Sequence, residues 1–193
     1  MAVLWESLAV WDARDVRVAL FLAVQNGAEL HALVLDAGSG LQGRVAFVDA
    51  HLVPSRSIVE AAAAHASRKD ANRRLRRPAV VKPCDAMRTK DVHTEFVYSL
   101  APSTNVGDSL RALSATATTT ALLVVAFDST PEDFEAMLSR VQGNAAPLSA
   151  LAFNVDAAAV AQHFGLDPTN VDFSDQAAVE SAVLMAIAVK DCS

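Results

Sequence analysis

Residue types that could do chemistry are present in this chain, but few of them are spaced as working sets. The loop GSGLQG, Gly38 to Gly43, matches G-x-G-x-x-G. A dinucleotide site needs a strand before such a loop and a helix after it, so that the helix N-terminus meets the pyrophosphate. Here a helix pattern precedes and a strand pattern follows, which favours a plain turn. The five histidines are His31, His51, His65, His93 and His163. No two stand at i, i+4 and none pairs with Cys or a carboxylate at metal spacing, so a zinc site is not expected. No serine sits in a G-x-S-x-G elbow, and no glycine-rich loop ends in Lys-Ser/Thr. Asp49 follows a strand pattern, as catalytic carboxylates often do. With no identifiable partner acid, it reads better as the cap of its own turn. These residues point to no catalytic group, no metal and no cofactor.

The cations form a more coherent set. Nine of the 16 Lys+Arg fall between Arg68 and Lys90, a window that holds only two acids, Asp70 and Asp85. The window carries +7 and the rest of the chain −13, which together give the net −6. Clustered Lys and Arg supply salt-sensitive phosphate contacts, and an acidic body would repel nucleic acid elsewhere and so orient the encounter. A solvated loop or a nuclear-import signal accounts for Arg68 to Arg77 equally well, and the residues alone leave these readings open.

The elements that must carry these residues follow from periodicity. The 193 residues, 52% hydrophobic and 6% aromatic, suit one buried core, read as a single domain over 1–193. Strand patterns cover Arg14 to Phe21, Val45 to Val48, His93 to Leu100 and Thr120 to Phe127. The last of these is apolar on both faces and reads as a central strand. Helix patterns cover Ala28 to Asp36, a run opened by Pro54-Ser55, one capped at Pro102 to Asn105, one opened by Thr130-Pro131, Ala157 to Phe164, and about Asp175 to Lys190. About four strands with helices in no strict alternation predict an α+β fold with a small mixed or antiparallel sheet. No basic region precedes an apolar core at the N-terminus, and no apolar run approaches ~20 residues, so neither a secretory leader nor a membrane span is expected. Cys84 and Cys192 read as free thiols of a cytoplasmic or nuclear protein.

The last helix is apolar on more than one side. Val179, Val183, Ala186 and Ile187 share one face, Leu184 and Ala188 lie beside them, and Met185 with Val189 fills a third sector. Such a helix is either fully central or presents one face to a partner; periodicity does not separate the two.

The stretch AMRTKDVHTEFVYSLAPSTNVGDSLRAL, Ala86 to Leu113, resembles the TPRKB family, the kinase-binding subunit of the KEOPS (EKC) complex. Its matching features here are Arg88-Thr89, Glu95, Leu100, Val106 and Leu110, followed by the apolar TALLVVAF. Upstream, RVAFVDAHLVPSRSIVEAAAAHA is similar to that family's strand, Asp and Ala-rich helix, and downstream RVQGNAAPLSAL resembles its Val-x-Gly…Leu-x-x-Leu segment. Departures are Ser57 where many relatives carry His, Ser114 where a Gly often stands, and an Arg-rich insertion at about 67–85. The resemblance implies a TPRKB-like fold and a non-catalytic subunit serving threonylcarbamoyladenosine modification of tRNA. It implies an atypical kinase/ATPase of the PRPK type as direct partner and other KEOPS subunits as indirect ones. It further implies that tRNA is held, including its 3′ CCA end, with no cofactor and no membrane. On that reading Arg88, Lys90, Arg73, Arg74, Arg76, Arg77 and Lys82 meet tRNA, and Val179, Val183, Leu184, Ala186, Ile187 and Ala188 face the kinase. Two rivals are an interaction module whose basic run is a nuclear-import tag, and a small-molecule-binding α+β domain using the Gly38–Gly43 loop.

Overall fold

The structure, a computed structural model, describes residues 4–10, 14–36, 39–41, 43–75 and 86–192. Its centre is the pairing of β2 (Asp15–Leu22) with β4 (Ala121–Phe127), antiparallel, with Val18 opposite Val125. β3 (Ala46–Asp49) flanks β4, and β1 (Glu6–Ala9) and β5 (Asn144–Ala146) share the other side of β2, giving the order β1-β2-β4-β3 with β5 beside β2. Every pairing is antiparallel. The fold is α+β, as expected, with five strands in place of about four. Three of the expected strands are present as β2, β3 and β4, and the two unforeseen ones, ESLA and NAA, are too short to show an alternating pattern.

Alternation along β2 and β4 feeds two cores. Val16, Val18, Leu20, Leu123, Val125 and Phe127 face one side. There they meet α2 (Arg56–Arg74), α3 (Val92–Leu100), α4 (Val106–Leu113), α6 (Ala157–Phe164) and α7 (Gln176–Cys192). Ala19, Phe21, Leu122 and Val124 face the other side, against α1 (Gly27–Leu35) and α5 (Pro131–Leu138). With helices on both faces β4 is buried along its whole length, which is why it reads as unbroken apolar sequence. Each ~100 Å² of apolar surface removed from water in these cores stabilises the fold by about 2.5 kcal/mol. Helix starts follow their caps: the side chains of Ser55, Asp91, Asn105, Thr130 and Asp156 each accept a backbone N–H of the first turn.

One expectation is corrected. His93 to Leu100 is helix α3, not a strand. The Asp91 cap starts it, and all of its residues except Thr94 are buried because α2, α4, β3 and β4 surround it. A helix enclosed on every side has no polar stripe, so its aromatic and β-branched residues imitate strand alternation. The Pro54-Ser55 helix runs on to Arg74, so Arg68, Lys69, Arg73 and Arg74 lie on the last turns of α2, whereas Arg76, Arg77, Lys82 and Cys84 lie outside the described residues. Among the described residues no helix is long and apolar enough to cross a membrane.

Candidate functional site: a cation-rimmed cleft and an apolar helix face

A cleft of about 640 Å³ opens between α1, the segment leading into β3, α3 and α4. Val34, Val45, Phe47, Val97, Val106, Leu110 and Ala115 line its apolar parts; Arg88, Lys90 and Arg111 bring three cations to it. Arg88 and Lys90 are exposed, on the turn that precedes α3. Arg111 sits on α4 and pairs with Asp108 at 2.8 Å, both well exposed, a contact worth little in water. His31 and Gly43 complete the edge; Gly43 holds φ 69°, which a residue with a Cβ rarely adopts.

The wall beneath is held by hydrogen bonds. Asp91 accepts the Thr94 N–H at 2.9 Å and the Thr94 hydroxyl at 2.8 Å, fixing the start of α3. His93 is buried, and its Nε2 accepts the Phe127 N–H at 3.1 Å, so the neutral ring carries its proton on Nδ1. Burial lowers its pKa to about 4, with Arg14 adding to that effect and Asp91 opposing it. Glu95, fully buried, accepts the N–H groups of Arg88 and Thr89 at 2.9 and 3.0 Å and the Thr89 hydroxyl at 2.8 Å. Buried Lys69 of α2 faces the same carboxylate at 3.2 Å.

The cations foreseen at this site behave differently from one another. Arg73 donates to the Lys90 carbonyl at 2.5 Å and to Asp70 at 2.7 Å, which places α2 against the cleft turn. Arg74 bonds Asp70 at 2.8 Å and Asp128 at 3.4 Å. Asp70 is fully buried and also receives Arg14 at 2.9 Å, and Arg14 continues to Asp128 at 2.6 Å. Burial raises the Asp128 pKa, but Arg14 and then Arg74 overcome it, and the net shift is downward. Arg73 and Arg74 are therefore engaged in an ionic strap that holds the end of α2 to the sheet. Asp49 does act as a cap, accepting the His51 N–H and the Thr119 hydroxyl, each at 3.0 Å. Of the Gly38–Gly43 stretch, Gly38 and Gln42 lie outside the described residues; the sequence order is α1 before it and β3 after it, the reverse of what a dinucleotide loop requires. Among the described residues no cluster of His, Cys, Asp and Glu is placed to hold a metal.

On α7 the structure separates the apolar sectors. Val179 and Val183 are buried in the core, at 3% and 0% exposure, so neither side chain is open to a partner. Leu184, Ala186 and Ile187 are half-buried against that core and Ala188 is exposed. The open apolar surface belongs to Met185 and Val189, at 67% and 56% exposure, one helical turn apart. That sector was visible in the sequence, but nothing there told which of three apolar faces turned inward. Lys190 anchors the end of α7: its Nζ donates to the Tyr98 carbonyl of α3 at 2.6 Å and lies 4.1 Å from the Tyr98 ring centroid.

Comparison with known proteins places the chain among described relatives. The chain is 34% identical over 121 residues to the EKC/KEOPS complex subunit cgi121 of Aspergillus fumigatus, a match covering 63% of this chain and 57% of that protein. It is 27% identical over 187 residues to the subunit CGI121 of Phaeosphaeria nodorum, covering 88% and 72% of the two chains. It is 26% identical over 172 residues to that of Schizosaccharomyces pombe, covering 86% and 90%. The chain thus spans little more than half the length of the Aspergillus relative. Residues 21–191, which hold β3, β4, the cleft and nearly all of α7, match the family described as kinase binding protein CGI-121, and the chain belongs to that family.

Proposed function

We propose that this chain is a non-catalytic subunit of a KEOPS (EKC) complex, which docks the complex's atypical kinase subunit and holds tRNA for threonylcarbamoyladenosine modification. The observation that carries the reading is the separation of two surfaces: a concave, cation-rimmed cleft, and an exposed apolar helix face at Met185 and Val189. An apolar cleft edged by Arg88 and Lys90 suits an unstacked base at a single-stranded RNA end, with phosphates at the rim. That chemistry fits the 3′ CCA end of tRNA. The α7 face suits the kinase, because leaving Met185 in water forgoes about 1.5–3 kcal/mol that a partner recovers. Membership in a kinase-binding family and the names of the relatives support the same partner. The other KEOPS subunits are reached through the kinase, in cytoplasm and nucleus.

The test is a salt titration of tRNA binding. Arg88→Ala with Lys90→Ala should lower the slope of log K against log salt by about one to two and weaken binding to tRNA bearing 3′ CCA. Unchanged slope and affinity would remove the cleft from the RNA reading. The cleft's size also suits a small anionic ligand; thermal stabilisation by nucleotides, with no tRNA binding, would establish that reading instead.

A further inference from the structure

The turn that carries Arg88 and Lys90 lies outside helix and sheet, so its backbone N–H groups need partners from elsewhere. Two of them, on Arg88 and Thr89, converge on a single oxygen, Oε2 of Glu95. Successive backbone N–H groups closing on one anion form a nest; here the anion is a buried side chain, and it orders the backbone. The other oxygen of Glu95 faces Lys69, itself 1% exposed. Buried charges are tolerated when paired and hydrogen-bonded, so Lys69 fixes the carboxylate and the carboxylate fixes the turn. Arg73, one turn along α2 from Lys69, closes the arrangement on the Lys90 carbonyl. Both attachments come from the packed α2–α3 pair, while the Arg88 and Lys90 side chains stay at the open mouth of the cleft.

We propose that Glu95, charge-balanced by Lys69, is the positioning residue of the RNA site: it sets the turn that presents Arg88 and Lys90 to phosphate. The inference rests on the RNA-binding reading above. It differs from a merely structural role because it requires Glu95 to act on RNA only through those two cations.

The experiment compares the full chain with Glu95→Ala, with Arg88→Ala/Lys90→Ala, and with the three changes combined, using an unmodified tRNA transcript ending in CCA. Salt-dependent affinity and amide exchange at Arg88 and Thr89 are measured together. Glu95→Ala should speed exchange at both amides and lower the salt slope by about one to two. In the Arg88→Ala/Lys90→Ala background it should add nothing. Glu95→Gln combined with Lys69→Met keeps an oxygen for both N–H groups without a stranded ammonium, and should restore affinity and protection. Wild-type affinity in folded Glu95→Ala, or a further loss in the triple variant, overturns the proposal. If Glu95→Ala does not fold, the Glu95→Gln/Lys69→Met chain decides: protected amides with wild-type slope support it, and exposed amides with wild-type slope overturn it. Wild-type tRNA affinity in Arg88→Ala/Lys90→Ala overturns the RNA reading itself, and this inference with it.

Discussion

Acidifying the protein from pH 7 to pH 4.5 should cost stability, and the His93 ring supplies a separable part of the loss. In the folded chain its pKa is about 4, because burial disfavours the imidazolium; unfolded, it returns to about 6.5. The folded state binds fewer protons than the unfolded state between these values, so stability is complete above about pH 6.5 and falls as pH drops toward 4. A gap of about 2.5 units is worth about 3 kcal/mol in full, and about 2 kcal/mol of it is lost by pH 5. For a chain of this size that corresponds to a fall in Tm of roughly 4–8 °C. The control is His93→Gln, whose amide oxygen can accept the Phe127 N–H but does not titrate. Urea unfolding at a series of pH values should show a wild-type loss about 2 kcal/mol larger between pH 7 and 5 than the variant's. His163, whose pKa burial also lowers, is present in both proteins and cancels. Working above pH 4.5 leaves Asp128 ionised and its bridges to Arg14 and Arg74 intact. Parallel pH curves for the two proteins would refute the assignment.

Three further outcomes are expected. Val183→Glu should abolish cooperative unfolding, because it buries an unpaired charge, whereas Met185→Glu should change stability by less than about 0.5 kcal/mol and weaken binding of the kinase subunit in pull-down. Retained kinase binding in Met185→Glu would exclude the outward face of α7. Asp70→Asn should cost about 3 kcal/mol in urea unfolding, since it strips the buried anion that Arg14, Arg73 and Arg74 share. Arg74→Ala, which removes a largely exposed side chain, should cost about 1 kcal/mol or less; equal costs for the two would contradict the strap. Gly165→Ala, at the left-handed end of α6 with φ 64°, should cost about 1 kcal/mol and leave tRNA affinity untouched; a loss of affinity would tie α6 to the cleft.

Where local chemistry decides structure, the sequence was legible. Thr130-Pro131, Ser55, Asn105 and Gly165 mark helix ends through side-chain caps and a left-handed residue, and the structure uses each of them. TALLVVAF announced a strand covered on both faces because nothing polar interrupts it. Where enclosure decides, it was not. α3 is buried all round, so HTEFVYSL lost the polar stripe that marks a helix; the surviving signal was Asp91 three residues before Thr94, a cap. Arg88 and Lys90 stood out in the sequence as cations, but the cleft they rim did not, because its apolar lining comes from α1, β3, α3 and α4, brought together only by the fold. The basic window looked uniform as sequence, yet Lys69 is buried against Glu95 and Arg74 is bound to two carboxylates, because distance in space and not along the chain sets which charges meet.

The pairing of β2 with β4 governs how the chain can come into being. Val18 and Val125 face each other across the middle of the sheet, yet 107 residues separate them along the chain. At about 5–20 residues per second of synthesis, β2 has only the short β1 to pair with for roughly 5–20 s before β4 exists. During that interval Val16, Val18, Leu20 and Phe21 have only β1 beside them, and α1, α2 and α3 lack the central strand they pack on. Both cores therefore wait for Ala121–Phe127, and a nascent chain cut short before Ala121 lacks the strand around which they are built.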